Sequence, residues 1–142
     1  MFLGEYEYNI DQKGRVAIPA RFRDEFRGGL VVARGYDRCI VVYPLPEWQR
    51  MADKITSLPL TRQTSRRLSR ATFASAYNLE LDRQGRVIIP ASLRDYAGIR
   101  DSAVIVGVHN CLEIWDKDLW AAEKSIMTEQ AAEIAEAAEV AL

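Results

Sequence analysis

The stretch DQKGRVAIPARFR, Asp11 to Arg23, returns 71 residues later as DRQGRVIIPASLR, Asp82 to Arg94. Eight of the thirteen positions are identical, where chance gives about one. The correspondence extends upstream, pairing Phe2 with Phe73 and Tyr6 with Tyr77. After a one-residue insertion it resumes with Gly35, Cys39, Tyr43 and Trp48 matching Gly107, Cys111, Trp115 and Trp120. A repeat that spans nearly the whole chain halves the number of independent structural units. With 142 residues in all, each half alone buries little apolar surface, so the two halves are expected to share one core. The expected organisation is a first repeat over 1–57, a helical connector over 58–72, a second repeat over 73–120 and an acidic C-terminal helix over 121–142.

Each repeat has the same local grammar. Glu5 to Ile10 alternates, with Tyr6, Tyr8 and Ile10 on one face, the period of a half-buried strand. The following Asp-x-x-Gly-Arg is a turn: Asp11 or Asp82 accepts bonds from nearby amides, and Gly14 or Gly85 supplies a positive φ. A short strand follows, over Arg15 to Ile18 or Arg86 to Ile89. Pro19 and Pro90 then suit the first position of short helices, PARFRDEF and PASLRDYA. Apolar strands are expected at Leu30 to Ala33, Ile40 to Tyr43, Ala103 to Val108 and Leu112 to Trp115, with a second hairpin closing each half. Helices follow from Pro46 to about Ser57, from Thr61 towards Ala76, and from Lys117 onward, where Ala and Glu give high helix propensity.

Composition narrows the function classes. Hydrophobic residues make up 49% and charged residues 27% of the chain, the profile of an ordinary soluble globular protein. No stretch reaches the length of a membrane span, and MFLGEYEYNID is unlike a signal peptide; the expected location is the cytoplasm. Cys39 and Cys111 are equivalent positions of the repeat and read as fillers of the same apolar niche rather than a disulfide. With one histidine, His109, they are too few for a protein-only zinc site. No phosphate loop, dinucleotide fingerprint or nucleophile elbow is present. A carboxylate dyad of Asp11 and Asp82 requires the two acids to meet in a shared cleft with a raised pKa. The expectation is a protein that is not an enzyme and takes no cofactor and no metal.

Charge is unevenly placed. Residues 1–71 carry 13 Lys and Arg against 8 Asp and Glu, while residues 72–142 carry 6 against 12. This suits a polyanion on one side and a neighbouring subunit on another, or a scatter of solvated charges. Lys13 and Arg15 form one basic turn, Arg83 and Arg86 the corresponding one, with Gln84 in the place of the lysine. A two-stranded ribbon enters a DNA major groove, and Arg donates a bidentate fork to guanine O6 and N7. The structural alternative is that Arg15 and Arg86 brace the turn by pairing with Asp11 and Asp82. Arg62, Arg66 and Arg70 recur every four residues along one helix face, open to three roles: phosphate contact, subunit contact or solvated surface. Arg23 recurs as Arg94 and reads as fold-supporting. Tyr43, Trp48, Trp115 and Trp120 read as structural aromatics capping the body or a subunit contact.

The duplicated D-x-x-G-R-V-x-I-P-A element resembles that of the AbrB and SpoVT transition-state regulators. Two copies in a chain of this size resemble the MraZ family of bacterial transcription factors, associated with the division and cell-wall gene cluster. The likeness covers almost the full length, including the opening MFLGEYEYNID. The family's D-x-x-x-R signature stands in both halves, as Asp11 with Arg15 and Asp82 with Arg86. The resemblance implies an α+β, mainly β fold in which two tandem pseudo-symmetric βαβ-type repeats intertwine into one swapped-hairpin barrel with flanking helices. It further implies a homo-oligomeric ring, associated with the nucleoid, that binds double-stranded DNA at short direct repeats near its own promoter and represses its own operon. For Arg15 the resemblance favours DNA contact over bracing; the candidate DNA contacts are Lys13, Arg15, Arg83 and Arg86, the second tip differing by Gln84, while Asp11, Gly14, Asp82 and Gly85 shape the turns. A protein-binding alternative, a ring scaffold or an antitoxin-like module, uses the same body.

Overall fold

The computed structural model describes residues 1–139. The fold is α+β and mainly sheet. Strands β1 (Glu5–Asn9), β2 (Arg15–Ala17), β3 (Leu30–Arg34) and β4 (Ile40–Pro44) belong to the first repeat, and β5 (Tyr77–Leu79), β6 (Arg86–Ile88), β7 (Ser102–Gly107) and β8 (Leu112–Asp116) to the second. Helices α1 (Leu45–Thr56), α2 (Gln63–Phe73), α3 (Ala91–Ala97), α4 (Lys117–Glu129) and α5 (Ala131–Ala137) complete it, with a short 3₁₀ helix over Ala20–Phe26 in the place that α3 takes in the second repeat. Pro19 and Pro90 stand one residue before these helices, at the N-cap with extended backbone, rather than inside the first turn.

The repeats exchange strands. One antiparallel sheet runs β1-β7-β8-β4-β3-β5, and a separate two-stranded ribbon pairs β2 with β6. Thus β1 lies on β7 of the second repeat and β5 on β3 of the first, while β4 meets β8 at the centre. A pseudo-twofold relation passes between β4 and β8 and through the ribbon. The expected reversal at Asp-x-x-Gly-Arg is therefore not a hairpin between paired strands. The turn carries the chain out of the six-stranded sheet and into the ribbon, because a partner from the other repeat is available to each strand. Among the described residues the strands form these two sheets and do not close into a barrel.

Three layers follow from the alternation of side chains along each strand. The inner face of the sheet, including Leu30, Val32, Ile40, Val42, Ile105, Leu112 and Ile114, packs on Val16 and Val87 of the ribbon and on Phe22, Phe26, Leu93 and Ala97 of the short helices. Phe2 joins this core, edge-on to Phe22 and stacked on Phe26 at 5.2 and 5.4 Å between ring centroids. Its repeat counterpart Phe73 lies elsewhere, against Trp48 at the end of α2. The outer face carries α1, α2 and α4. Trp48 packs beside Tyr43 and Trp120 beside Trp115, at 5.8 and 5.6 Å, so the matched aromatics anchor α1 and α4 to the sheet. Cys39 is buried with Val104, Val106, Trp115 and Trp120 of the other repeat. Both cysteines are free and buried, and burial pushes the Cys111 thiol up to about 12. No helix among the described residues is long and apolar enough to cross a membrane.

Candidate nucleic-acid interface

The ribbon register sets the site. Arg15 faces Ile88, Val16 faces Val87 and Ala17 faces Arg86. Directly opposed residues of an antiparallel pair share a face. Val16 and Val87 turn inward and are each 1% exposed, so Arg15, Ala17, Arg86 and Ile88 together form the outward face. Arg15 and Arg86 are diagonal neighbours there, roughly 7–8 Å apart at Cα. The two turns lie at opposite ends of this one ribbon, carrying Lys13 and Arg83 exposed beyond it. Sequence alone placed the two arginines on two separate tips; pairing of β2 with β6 puts them on one surface.

Each turn is built from its own acid. Asp11 Oδ1 accepts from the Lys13 and Arg15 amides at 3.0 and 2.9 Å, and its Oδ2 accepts from Arg15 Nε at 2.6 Å. Asp82 repeats the pattern with the Gln84 and Arg86 amides and Arg86 Nε, each at 2.9 Å. The bracing role expected as an alternative is present in both halves. It leaves each arginine about a third exposed, 31% in both cases, because only Nε is engaged by the aspartate. Bonds from the backbone amides of Arg15 and Arg86, followed by those from their side chains, hold both carboxyls below the usual carboxylate range. Depressed values at opposite ends of a ribbon end the idea of a carboxylate dyad.

That depression has a sign. A carboxylate whose folded pKa lies below its unfolded value stabilises the fold fully above the ordinary range near 4 and loses that contribution as pH falls through the folded value. The Asp11→Asn/Asp82→Asn double variant is expected to be less stable than the parent at pH 7 and to lose less stability between about pH 5 and pH 2. Thermal melts across that range check it; parallel acid limbs for the two proteins refute it.

The turns are also locked across the repeats. The Gly14 carbonyl accepts from the Ile89 amide at 2.8 Å, and the Gly85 carbonyl accepts from the Ile18 amide at 2.9 Å. Arg94 Nε donates to the Ile89 carbonyl at 3.0 Å and passes over Gly14; Arg23 Nε donates to the Ile18 carbonyl at 2.9 Å and passes over Gly85. Arg23 and Arg94 are thus clamps of the ribbon. Gly14 has φ +83°, and a Cβ there meets the Ile89 carbonyl oxygen at 2.8 Å and Arg94 Nε at 2.9 Å. Strain of the left-handed backbone and displacement of that carbonyl together make Gly14→Ala cost about 2–5 kcal/mol. Urea unfolding measures this, and a change within the noise of the midpoint refutes the account.

The helix arginines are elsewhere. Arg62 is the N-cap of α2, Arg66 Nη1 donates to the Leu60 carbonyl at 2.9 Å, and Arg70 is exposed in the last turn. Since α2 covers the outer face of the sheet, the sheet itself separates these three from the ribbon. Two participants in the ribbon face escaped the sequence reading, Ala17 and Ile88. The signal for them was available: in Arg15-Val16-Ala17-Ile18 the period of two puts Arg15 and Ala17 together. Ile88 is 58% exposed, the one large apolar side chain on that face. Among the described residues no cluster of His, Cys, Asp and Glu is arranged to hold a metal ion.

The molecule is a duplicated, strand-exchanged protein that displays a pseudo-symmetric basic β-ribbon. Residues 1–71 and 72–141 each match the family described as "MraZ protein, putative antitoxin-like". Among its relatives, the proteins named transcriptional regulator MraZ from Thermomicrobium roseum and Dehalococcoides mccartyi are 46% and 44% identical over 136 and 140 residues. These alignments cover 96% of both chains in the first case, and 98% of this chain and 99% of its relative in the second. The protein of the same name from Salinispora arenicola is 48% identical over 84% of each chain. The chain belongs to the MraZ family.

Proposed function

We propose that this protein is a sequence-specific DNA-binding transcriptional regulator that reads the major groove with the β2–β6 ribbon and represses its own operon. The observation that carries the reading is the outward face of Arg15, Ala17, Arg86 and Ile88 on one two-stranded ribbon. A ribbon of this width fits a groove about 12 Å wide; Arg pairs with guanine, and apolar side chains contact the thymine methyl. Asp11 and Asp82 orient the arginines through Nε, leaving the terminal guanidinium nitrogens to donate to a base edge. Lys13 and Arg83 flank the face at the height of the phosphates. Catalysis has no place in this reading, and the names of the relatives support regulation of transcription. The exchange of β1 and β5 between repeats supports a swapped-hairpin architecture.

The ring belongs to the same proposal. Several copies present the ribbon in one rotational sense, which suits short direct repeats better than palindromes. Fluorescence anisotropy on the protein's own upstream DNA and on a scrambled duplex, across a salt series, is the test. Preference for the native sequence that persists at physiological salt supports the reading. Equal and steeply salt-dependent binding of both duplexes reduces it to phosphate attraction. The absence of binding favours the alternative of an antitoxin-like or scaffold protein.

A further inference from the structure

The two repeats do not treat their outer faces alike. In the first, α2 folds back against α1 and β3, with Ser65 and Thr72 buried. In the second, α4 is held by Trp120, whose Nε1 donates to Glu5 at 3.2 Å, and by Lys124, whose Nζ lies 2.7 Å from the other Glu5 oxygen. Beyond that point, among the described residues, no residue of α5 is buried, and the helix packs chiefly against α4. A seven-residue helix is far below the length at which helices are stable alone in water, and this one exposes Ile134, following Ile126 and Met127 exposed on α4.

Charge says what covers it. From Ala121 to Glu139 there are five glutamates and one lysine; from Arg62 to Phe73 there are four arginines and no acid. Among the described residues none of those five glutamates and none of those four arginines forms an ion pair. Beside the arginines, Leu58 and Leu60 are exposed, the latter at 73%. An acidic helix with exposed apolar side chains, and a basic helix preceded by a turn with exposed apolar side chains, are therefore both without a charge partner among the described residues. Within one chain they lie apart: α2 rests on β3 and α4 on β7 and β8, and β7 and β3 are three strand spacings apart, roughly 14 Å. Complementary surfaces towards opposite edges of one body make a heterologous, head-to-tail contact, the kind that closes into rings.

We infer that the C-terminal helices of one copy dock on the α1–α2 corner of the next. In this contact Ile126 and Ile134 meet Leu60, while Glu133 and Glu136 meet Arg62 and Arg70. The inference rests on the reading of the protein as a homo-oligomer and names the two surfaces that make it one. It gives the helix arginines a role on the face of the sheet away from the ribbon, so assembly leaves every ribbon free.

A charge swap tests it. Arg62→Glu/Arg70→Glu reverses the two contacting charges on α2, and Glu133→Arg/Glu136→Arg reverses the two on the C-terminal helix, so in either variant alone the residues that meet carry like charge. Each variant alone is expected to assemble at least about tenfold more weakly than the parent in sedimentation velocity, with an unchanged far-ultraviolet spectrum, since like charges then face each other. An equimolar mixture is expected to recover assembly, because alternating the two variants makes each contact between unlike copies complementary again. That regain also shows that both variants are folded. If the variants alone assemble as the parent does, or the mixture stays apart while both are folded, the assignment of these surfaces is wrong and the oligomer stands on others. A parent that is monomeric at every concentration removes the oligomer and this contact together. Variants that assemble normally but bind all duplexes more weakly, with a shallower salt slope, assign the arginines to phosphate instead.

Discussion

Replacing Arg15 and Arg86 together by alanine is expected to lower affinity for the native upstream duplex by about 30- to 25,000-fold at physiological salt. A well-formed bidentate contact is worth about 1–3 kcal/mol of discrimination, and two such contacts on one ribbon contribute independently when they touch different base pairs. Binding to a scrambled duplex changes far less, because Lys13 and Arg83 keep their charge outside the substituted face. Folding survives: each lost contact is a partly exposed ion pair with an aspartate, a class that adds little to stability. The amide bonds that hold Asp11 and Asp82 remain. Arg→Lys at the same positions separates charge from geometry. Lysine restores attraction without the planar fork, so it recovers the salt slope but not the preference. Equal loss of affinity for native and scrambled DNA in the alanine variant refutes base reading by these residues.

DNA carrying several correctly spaced copies of the target is expected to bind at least a hundredfold more tightly than DNA carrying one. Each ribbon is small: β2 and β6 have three residues apiece, and its outward face offers two arginines. Contact of that size gives weak binding by itself. Once one ribbon of an assembly is seated, the next meets its repeat at the effective concentration set by the rigid body between them, which raises avidity by about 10²–10⁴. Inserting half a helical turn between copies turns the second site away and is expected to abolish the gain. Titration of one-copy, multi-copy and half-turn-shifted duplexes measures all three cases. Similar affinities throughout remove the multivalent reading while leaving the single ribbon intact. The charge-swap variants connect the two results: an assembly that dissociates loses the multi-copy advantage and keeps its one-copy affinity.

Much of this is legible in the sequence. The alternation in EYEYNI put Tyr6, Tyr8 and Ile10 on the core side of β1, and the glycine of each Asp-x-x-Gly-Arg turn has the positive φ its position requires. Arg23 and Arg94 were legible as supports because they recur. Those are local facts: a two-residue period and a left-handed turn are set by a few neighbouring atoms. The C-terminal helical propensity was also legible, but the break at Gln130 between α4 and α5 was not.

Local chemistry along the chain specified an inventory: a duplicated unit, the faces of its strands, its turn chemistry and the identity of its basic residues. Tertiary structure decided partners. Alternation tells a strand which side to bury but not which strand lies beside it, and here every exchanged pair joins residues far apart in sequence, such as Val16 with Val87. That pairing turned two tips into one ribbon face. The intervening sheet set Arg62, Arg66 and Arg70 apart from it, because side chains on opposite faces of a sheet share no surface. A cross-strand neighbour is chosen by the packing of the whole core, so the site exists only once both repeats have folded together.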